Sequence, residues 1–279
     1  MKLYQWMSYE TFKKTIDGDC LCVRAARPSE FNDPFDCTGG VYGTPTMQFV
    51  RSFFQVRKDI ALCFEGKFAT GLLGDDYEVA AKKEVETVLR RMFQDRNFIG
   101  RGYRIACFSD ADVIKPTEET LMWSHYGEKG RGVRICVDIE DPNVDLVRVD
   151  YKDTAPSINL ADVSEIDGLG PFVEECIMTK QKQWIYEREV RAIFRGPSHP
   201  SISPYTDPES GYKCDRWRIN LSQISEIAIG QLRLGRGPYP NDEFSTLRRI
   251  KEAGCRSDIF CSAVLSYNTY SYNYQHFSI

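Results

Sequence analysis

Apolar and polar positions alternate strictly near the middle of this chain. Val133, Ile135, Val137 and Ile139 recur at every second residue, the period of a strand with one buried face. Strands are also expected over 103–109, 217–221, 224–229 and 259–265, and one over 146–151 that pairs with the Val133 strand. In the first half the period lengthens. Val85, Val88, Leu89 and Met92 fall at helical spacing within 77–93, a second helix covers 46–64, and 66–76 joins them as a loop. The chain opens as strand (Lys2 to Trp6), helix (Tyr9 to Ile16, with Ser8 as its N-cap and Asp17-Gly18-Asp19 as its stop) and strand (Cys20 to Ala25). A turn-rich loop, 27–36, follows. Pro171 opens a helix to about Gln181 with Phe172, Val173, Cys176 and Ile177 on one face. Residues 197–211 read as a Pro/Ser-rich loop and 241–253 as a helix closed by Gly254. There is no internal repeat and no interdomain linker. The pattern predicts one α+β domain over 1–279, with a helical insertion at about 44–100 that shapes a cleft.

Bulk properties narrow the classes. A net charge of −4 over 279 residues argues against a generally basic nucleic-acid binder. No apolar run is long enough to span a bilayer, and Met1-Lys-Leu-Tyr-Gln-Trp-Met lacks the apolar core of a signal peptide, so a cytoplasmic protein with no membrane partner is expected. The ten cysteines are scattered without a Cys-x-x-Cys, as thiols in a reducing compartment are. None of His125, His199 and His276 has a metal-ligand spacing to cysteine, so no metal is expected.

Four segments carry candidate chemistry. In Trp184-Ile-Tyr-Glu187-Arg-Glu189-Val-Arg191, an extended backbone puts Glu187, Glu189 and Arg191 on one face. That face is either a site that grips ribose hydroxyls and stabilises a developing cation or a solvated edge-strand ion pair. In Met122-Trp123-Ser124-His125-Tyr126, Trp123 and Tyr126 suit stacking on a planar ring and His125 suits a phosphate or proton transfer; the alternative is a half-buried aromatic helix end. In Phe31-Asn32-Asp33-Pro34-Phe35-Asp36, Asn32 and Asp33 either present themselves at a cleft rim or close a turn that the two phenylalanines anchor. Basic clusters (Arg90, Arg91, Arg96, Arg101 and Arg104; Arg233, Arg236, Arg248, Arg249 and Lys251) and a tyrosine-rich tail (Tyr267, Tyr270, Tyr272, Tyr274) complete the set. The former read as helix-end charges or a phosphate-tracking groove, the latter as a terminal strand or a stacking surface. Arg233-Leu-Gly235-Arg-Gly237 lacks the flanking strand and helix of a dinucleotide fingerprint.

Taken in order, Leu3-Tyr4-Gln5-Trp6, Asn32 to Phe35, Cys107 to Ser109, Met122 to Tyr126, Trp184 to Arg191 and Ile224 to Gly230 resemble a poorly characterised bacterial family found near phage-defence and toxin genes. That family is distantly similar to ADP-ribosyltransferases. The resemblance implies a split mixed or antiparallel sheet of ADP-ribosyltransferase type clasping NAD. It implies Glu189 as the essential carboxylate with Glu187 as its partner, and Tyr4 or Gln5 at the nicotinamide end, where such enzymes usually carry Arg or His. Trp123, Ser124, His125 and Tyr126 would line the pocket, Asn32 and Asp33 its rim, and His125 and Arg191 would hold phosphate or ribose. The expectation is an NAD-dependent ADP-ribosyltransferase, a bacterial toxin or antiphage effector. NAD would be its substrate, a macromolecule (DNA, RNA or protein, nucleic acid favoured slightly) its acceptor, and an antitoxin a possible neutralising partner. The alternatives are an NAD glycohydrolase and a non-catalytic sensor or interaction module on the same fold. A metal-dependent nuclease is disfavoured, since no metal-binding carboxylate cluster beyond Glu187 and Glu189 is visible.

Overall fold

A computed structural model describes residues 1–95, 98, 101–196, 199–230, 241–253, 255–266, 269 and 271–277, without the side chains of 241–244 and 257. Arg96, Arg233, Arg236, Gly254, Tyr267, Tyr270 and the segment 231–240 lie outside the described residues. The protein is a mixed α+β structure with a large mixed sheet. In chain order its elements are β1 (Lys2–Met7), α1 (Tyr9–Thr15), β2 (Ile16–Asp17), β3 (Cys20–Ala25), β4 (Gly40–Tyr42), α2 (Met47–Val56), α3 (Lys58–Ala69), α4 (Tyr77–Gln94), β5 (Tyr103–Asp110), α5 (Pro116–His125), β6 (Val133–Asp138) and β7 (Asp145–Arg148). They continue with β8 (Asp150–Lys152), β9 (Ser157–Asn159), α6 (Gly170–Met178), β10 (Thr179–Gln181), β11 (Glu189–Arg195), β12 (Ile202–Thr206), β13 (Lys213–Asn220), β14 (Ile224–Gly230), α7 (Asn241–Glu252), β15 (Phe260–Ser266) and β16 (Ser271–His276). Two compact units emerge. One joins Met1–Ala26, Arg104–Val149 and Gln183–Ile279; the other joins Arg27–Tyr103 and Asp150–Lys182.

The first unit is built on an eight-stranded sheet in the order β16-β15-β14-β6-β1-β5-β11-β7. β14 and β15 run parallel, whereas β1 is antiparallel to both β5 and β6. Strand alternation gives this sheet two chemically different faces. Leu3, Val133, Ile135, Val137, Val190, Ala192, Phe194, Ile227 and Ile229 point into the main core. There they meet Leu21 and Val23 of β3 and Trp217 and Ile219 of β13, from a second sheet ordered β12-β13-β3-β2, and also Phe12 of α1 and Ile250 of α7. The opposite face carries Trp6, Ala228, Cys261 and Ala263 beneath Met122 and Trp123 of α5, together with the polar residues that form the candidate site.

Ser8 caps α1 as its position predicts, accepting from the Thr11 N–H. Gly18, at φ +58, instead belongs to the tight turn between β2 and β3, a left-handed position that glycine fills without steric cost. The expected pairing of 146–151 with the Val133 strand is wrong. Both edges of β6 are already taken, by β1 and β14, so β7 pairs with β11 and Asp150–Lys152 pairs with β10. Within the expected loop 197–211, β12 pairs antiparallel with β13. Its position at the sheet edge tolerates Pro204, which has no N–H to offer a ladder.

In the second unit the predicted helix over 46–64 is two helices. Arg57, at φ −105 and ψ 65, leaves helical geometry between α2 and α3. α4 matches its expected span, with Asp76 accepting from Val79 N–H at its start and Ala81, Val85, Leu89 and Phe93 buried. Those residues join Phe49, Phe53 and Phe64 of α2 and α3 in the buried interior. The helix expected to reach Gln181 stops at Met178, because Thr179–Gln181 extends to pair in parallel with β8. Residues 44–100, the expected helical insertion, fall inside this unit.

Candidate functional site

Glu189 and Arg191 project from β11 on the face opposite Val190 and Ala192. They are 4% and 0% exposed, and Arg191 Nε donates to Glu189 Oε1 at 2.7 Å. Removing two such charges from water costs several kcal/mol each, so their presence here rests on this contact and the polar groups around it.

Glu187 arrives by another route. It does not lie on the strand: it ends a 3-10 helix, Lys182–Glu187, and Arg188 takes a left-handed backbone at φ +46 before β11 begins. The simple i, i+2, i+4 face therefore holds only for Glu189 and Arg191. Arg188 is held in this unusual conformation from several sides. Its N–H donates to the Ile185 carbonyl at 3.2 Å, its own carbonyl accepts from the Asp110 N–H at 2.9 Å, and its guanidinium grips Glu118 through Nε at 3.1 Å and Nη2 at 2.6 Å. The turn delivers the Glu187 carboxylate, 4% exposed, to the Tyr126 hydroxyl, which donates to Oε1 at 2.6 Å. The Trp184–Arg191 and Met122–Tyr126 segments thus meet in one place, and neither acidic side chain is a solvated edge charge.

The Met122–Tyr126 segment divides in two. Trp123 is fully buried, its ring 5.2 Å from Tyr272 and its Nε1–H donating to the Tyr274 hydroxyl at 3.1 Å. Ser124 and His125 are exposed, with the His125 ring 5.9 Å from Tyr186 and 6.3 Å from Tyr126. Strand alternation also separates Tyr4 from Gln5. Tyr4 shares the polar face, whereas Gln5 donates from Nε2 to the Cys107 carbonyl at 3.4 Å. Asn32 and Asp33 belong to the second unit and close the predicted turn: Asn32 Oδ1 accepts from Asp33 N–H at 3.1 Å and Asp33 Oδ1 from Phe35 N–H at 2.9 Å. Asn32 is exposed and Asp33 buried. Phe35, expected to anchor that loop, is 63% exposed. Of the basic residues, Arg104 is buried in an ion pair with Asp215 at 2.5 Å, and Arg90 pairs with Glu86 along its own helix at 2.8 Å.

Arg134 is the group that the residue pattern concealed. Flanked by Val133 and Ile135, it reads as the polar side of an alternating strand. In the fold β6 is an interior strand covered on both faces, and Arg134 is 1% exposed. Its guanidinium lies between two phenol rings, 4.1 Å from the Tyr4 centroid and 3.8 Å from that of Tyr274. Its Nη1 donates to Glu119 at 2.6 Å and its Nη2 to Glu226. Tyr274 donates to the second oxygen of Glu119 at 3.0 Å. Burial pushes the Tyr4 phenol up to about 12, and pushes Tyr274 and Glu119 upward as well, against the pull of Arg134. Burial opposes the charge on Arg134, but Tyr274, Glu226 and Glu119 outweigh it and hold the guanidinium above its ordinary value. Trp6 Nε1 and Arg134 Nε, on paired positions of β1 and β6, are buried without a hydrogen-bond partner among the described residues.

Among the described residues no helix is long and apolar enough to cross a membrane, and no group of three or more His, Cys, Asp or Glu side chains is placed to hold a metal ion. None of the ten cysteines is in a disulfide. Comparison with protein-family models, with curated proteins and with solved structures gave no match.

Proposed function

We propose that this chain is an NAD-dependent ADP-ribosyltransferase, a bacterial toxin or antiphage effector that modifies a macromolecule, built on a sheet of ADP-ribosyltransferase type. The observation that carries the reading is the burial of two carboxylates two residues apart, Glu187 bonded by Tyr126 and Glu189 by Arg191. Two carboxylates kept from bulk water at one edge of a polar sheet face suit a reaction in which positive charge develops on a sugar. In that reaction the bond between ribose C1′ and the nicotinamide nitrogen breaks. Its electron pair leaves with nicotinamide, and the oxocarbenium-like ribose is captured by an acceptor nucleophile. Glu189 would stabilise the cation, Glu187 would take the proton that the nucleophile loses, and Tyr126 would orient Glu187. His125 and Arg191 would hold phosphate or ribose oxygens.

The test is transfer of label from NAD to lysate components, followed by nuclease or protease treatment to reveal the acceptor. Glu189→Gln should abolish labelling. Because that change removes the negative charge that Arg191 Nε bonds, Glu189→Asp is the companion variant: it keeps the charge, withdraws the carboxylate by one methylene, and should also abolish labelling. Full labelling by a folded Glu189→Asp protein rejects the assignment. Nicotinamide release without any labelled acceptor assigns capture to water instead.

A further inference from the structure

The second unit contains a cleft of about 280 Å³ that no part of the proposed reaction uses. Phe53 of α2, Leu89 and Phe93 of α4, Phe98, and Leu169 and Val173 at the start of α6 line it. The Phe93 and Phe98 rings meet edge to face at 6.2 Å. An apolar cavity of roughly 150 Å³ accommodates benzene, so this volume suits one aromatic ring with a short chain attached. It lies at the lower edge of the size range for small-molecule sites.

The mouth has a definite electrical character. Asp167 and Gly170 border the cleft, and Asp167 is exposed with no ion pair among the described residues. Between Asp162 and Glu174 the chain carries Asp162, Glu165, Asp167 and Glu174 and no Lys, Arg or His, while Asp153 and Glu175 beyond them are paired with Lys182 and Lys152; of these acids Asp167 is the one at the cleft. Arg57 approaches the lining residue Met92, with Nη1 3.9 Å from its sulfur, but its Nε and Nη2 are bonded to Asp59 at 3.0 and 2.7 Å. An apolar interior below a carboxylate repels anions and gives a neutral ligand a hydrogen-bond acceptor but no charge to pair with. It fits a molecule with one cationic end.

We propose that this cleft binds a small aryl-alkyl ammonium, whose ring fills the apolar interior and whose charge rests at Asp167. The experiment titrates the full chain, by calorimetry or ligand-observed NMR, with three probes of one shape: 2-phenylethylammonium, 2-phenylethanol and phenylacetate. The ammonium should bind best, the alcohol about two- to fivefold more weakly, as expected for loss of one exposed ion pair, and the carboxylate most weakly. Asp167→Asn, an exposed substitution, should lower the affinity for the ammonium to that for the alcohol. Gly170→Phe should block the mouth and abolish binding of both. It is sterically open, since Gly170 has helical angles (φ −54, ψ −53) and an added Cβ meets nothing within 4 Å. The proposal is overturned if none of the three probes binds at millimolar concentration, if phenylacetate binds as tightly as the ammonium, or if ammonium binding survives unchanged in both variants.

Discussion

Replacing Arg134 by methionine tests the account of the polar sheet face quantitatively. The substitution keeps an unbranched apolar stem between the Tyr4 and Tyr274 rings but removes the charge that Glu119 and Glu226 both bond. Removing one partner of a buried ion pair costs about 3–5 kcal/mol, and loss of a desolvated cation–π contact adds about 1–2 kcal/mol. Glu119 is the more deeply buried of the two carboxylates, so it dominates the cost. A loss of about 4 kcal/mol or more is expected, a large share of the roughly 5–15 kcal/mol that holds a domain together. Burial already raises the Glu119 carboxyl above its ordinary 4.5, and without Arg134 it rises further. A folded-state value above the unfolded one gives stability that is complete below the unfolded value and is lost as pH rises through the folded one. The deficit of Arg134→Met against the unmodified protein should therefore be largest at neutral pH and shrink on mild acidification. Urea unfolding followed by tryptophan fluorescence is a suitable assay, because Trp6, Trp123, Trp184 and Trp217 all belong to the first unit. A loss below about 1 kcal/mol, or one identical at neutral and mildly acid pH, would refute the reasoning.

Further expectations concern the turn and the helix end that frame the acidic pair. Tyr126→Phe deletes the hydroxyl that donates to Glu187 at 2.6 Å and should cost about 1.5–3 kcal/mol in the same unfolding assay, the range for a hydrogen bond to a charged group; a change within about 0.5 kcal/mol would mean the contact is absent in solution. Glu118 is pushed up by burial but pulled further down by the Arg188 guanidinium and the Lys115 N–H, so its folded value lies below 4.5. Its contribution should be complete above 4.5 and vanish as pH falls through the lower folded value. The stability gap between the unmodified protein and Glu118→Gln should accordingly close in acid, and a gap that widens there would contradict the pairing. Gly132→Ala would put a methyl group 2.2 Å from the Met7 carbonyl oxygen and 2.9 Å from that of Gly127, so a loss of about 1–3 kcal/mol is expected; an unchanged urea midpoint would show that β1 and the turn before β6 are less closely apposed.

Much of this architecture was legible in residue order because the relevant forces are local. Alternation identified β6, short apolar runs read as β5, β14 and β15, and the Ser8 and α4 readings rested on capping and helical period. The failures involve interactions between distant parts of the chain. Nothing within Leu146–Tyr151 reveals that both neighbours of β6 are already chosen. The left-handed backbone of Arg188 depends on Glu118, seventy positions earlier, which is why Glu187 reads as part of a strand and is found at the end of a 3-10 helix. Arg134 looks solvated until α5 and β16 cover its face. The alternation of β6 announces one buried face only, so nothing local to the strand reveals that its polar side is covered as well. Of the candidate site, the residues Glu187, Glu189, Arg191 and Tyr126 were identifiable individually. The hydroxyl-to-carboxylate contact that joins the two segments is a product of the fold.

We propose above that the Glu189 carboxylate carries NAD chemistry. Its most direct measurement is the rate at which the purified protein releases nicotinamide from labelled NAD and transfers the label, compared between the unmodified chain and Glu189→Asp at matched folded concentration. The unmodified chain should release nicotinamide and transfer the label, and Glu189→Asp should do neither. Equal rates from the two proteins, or no release by the unmodified chain in the presence of lysate acceptors, would contradict the proposal.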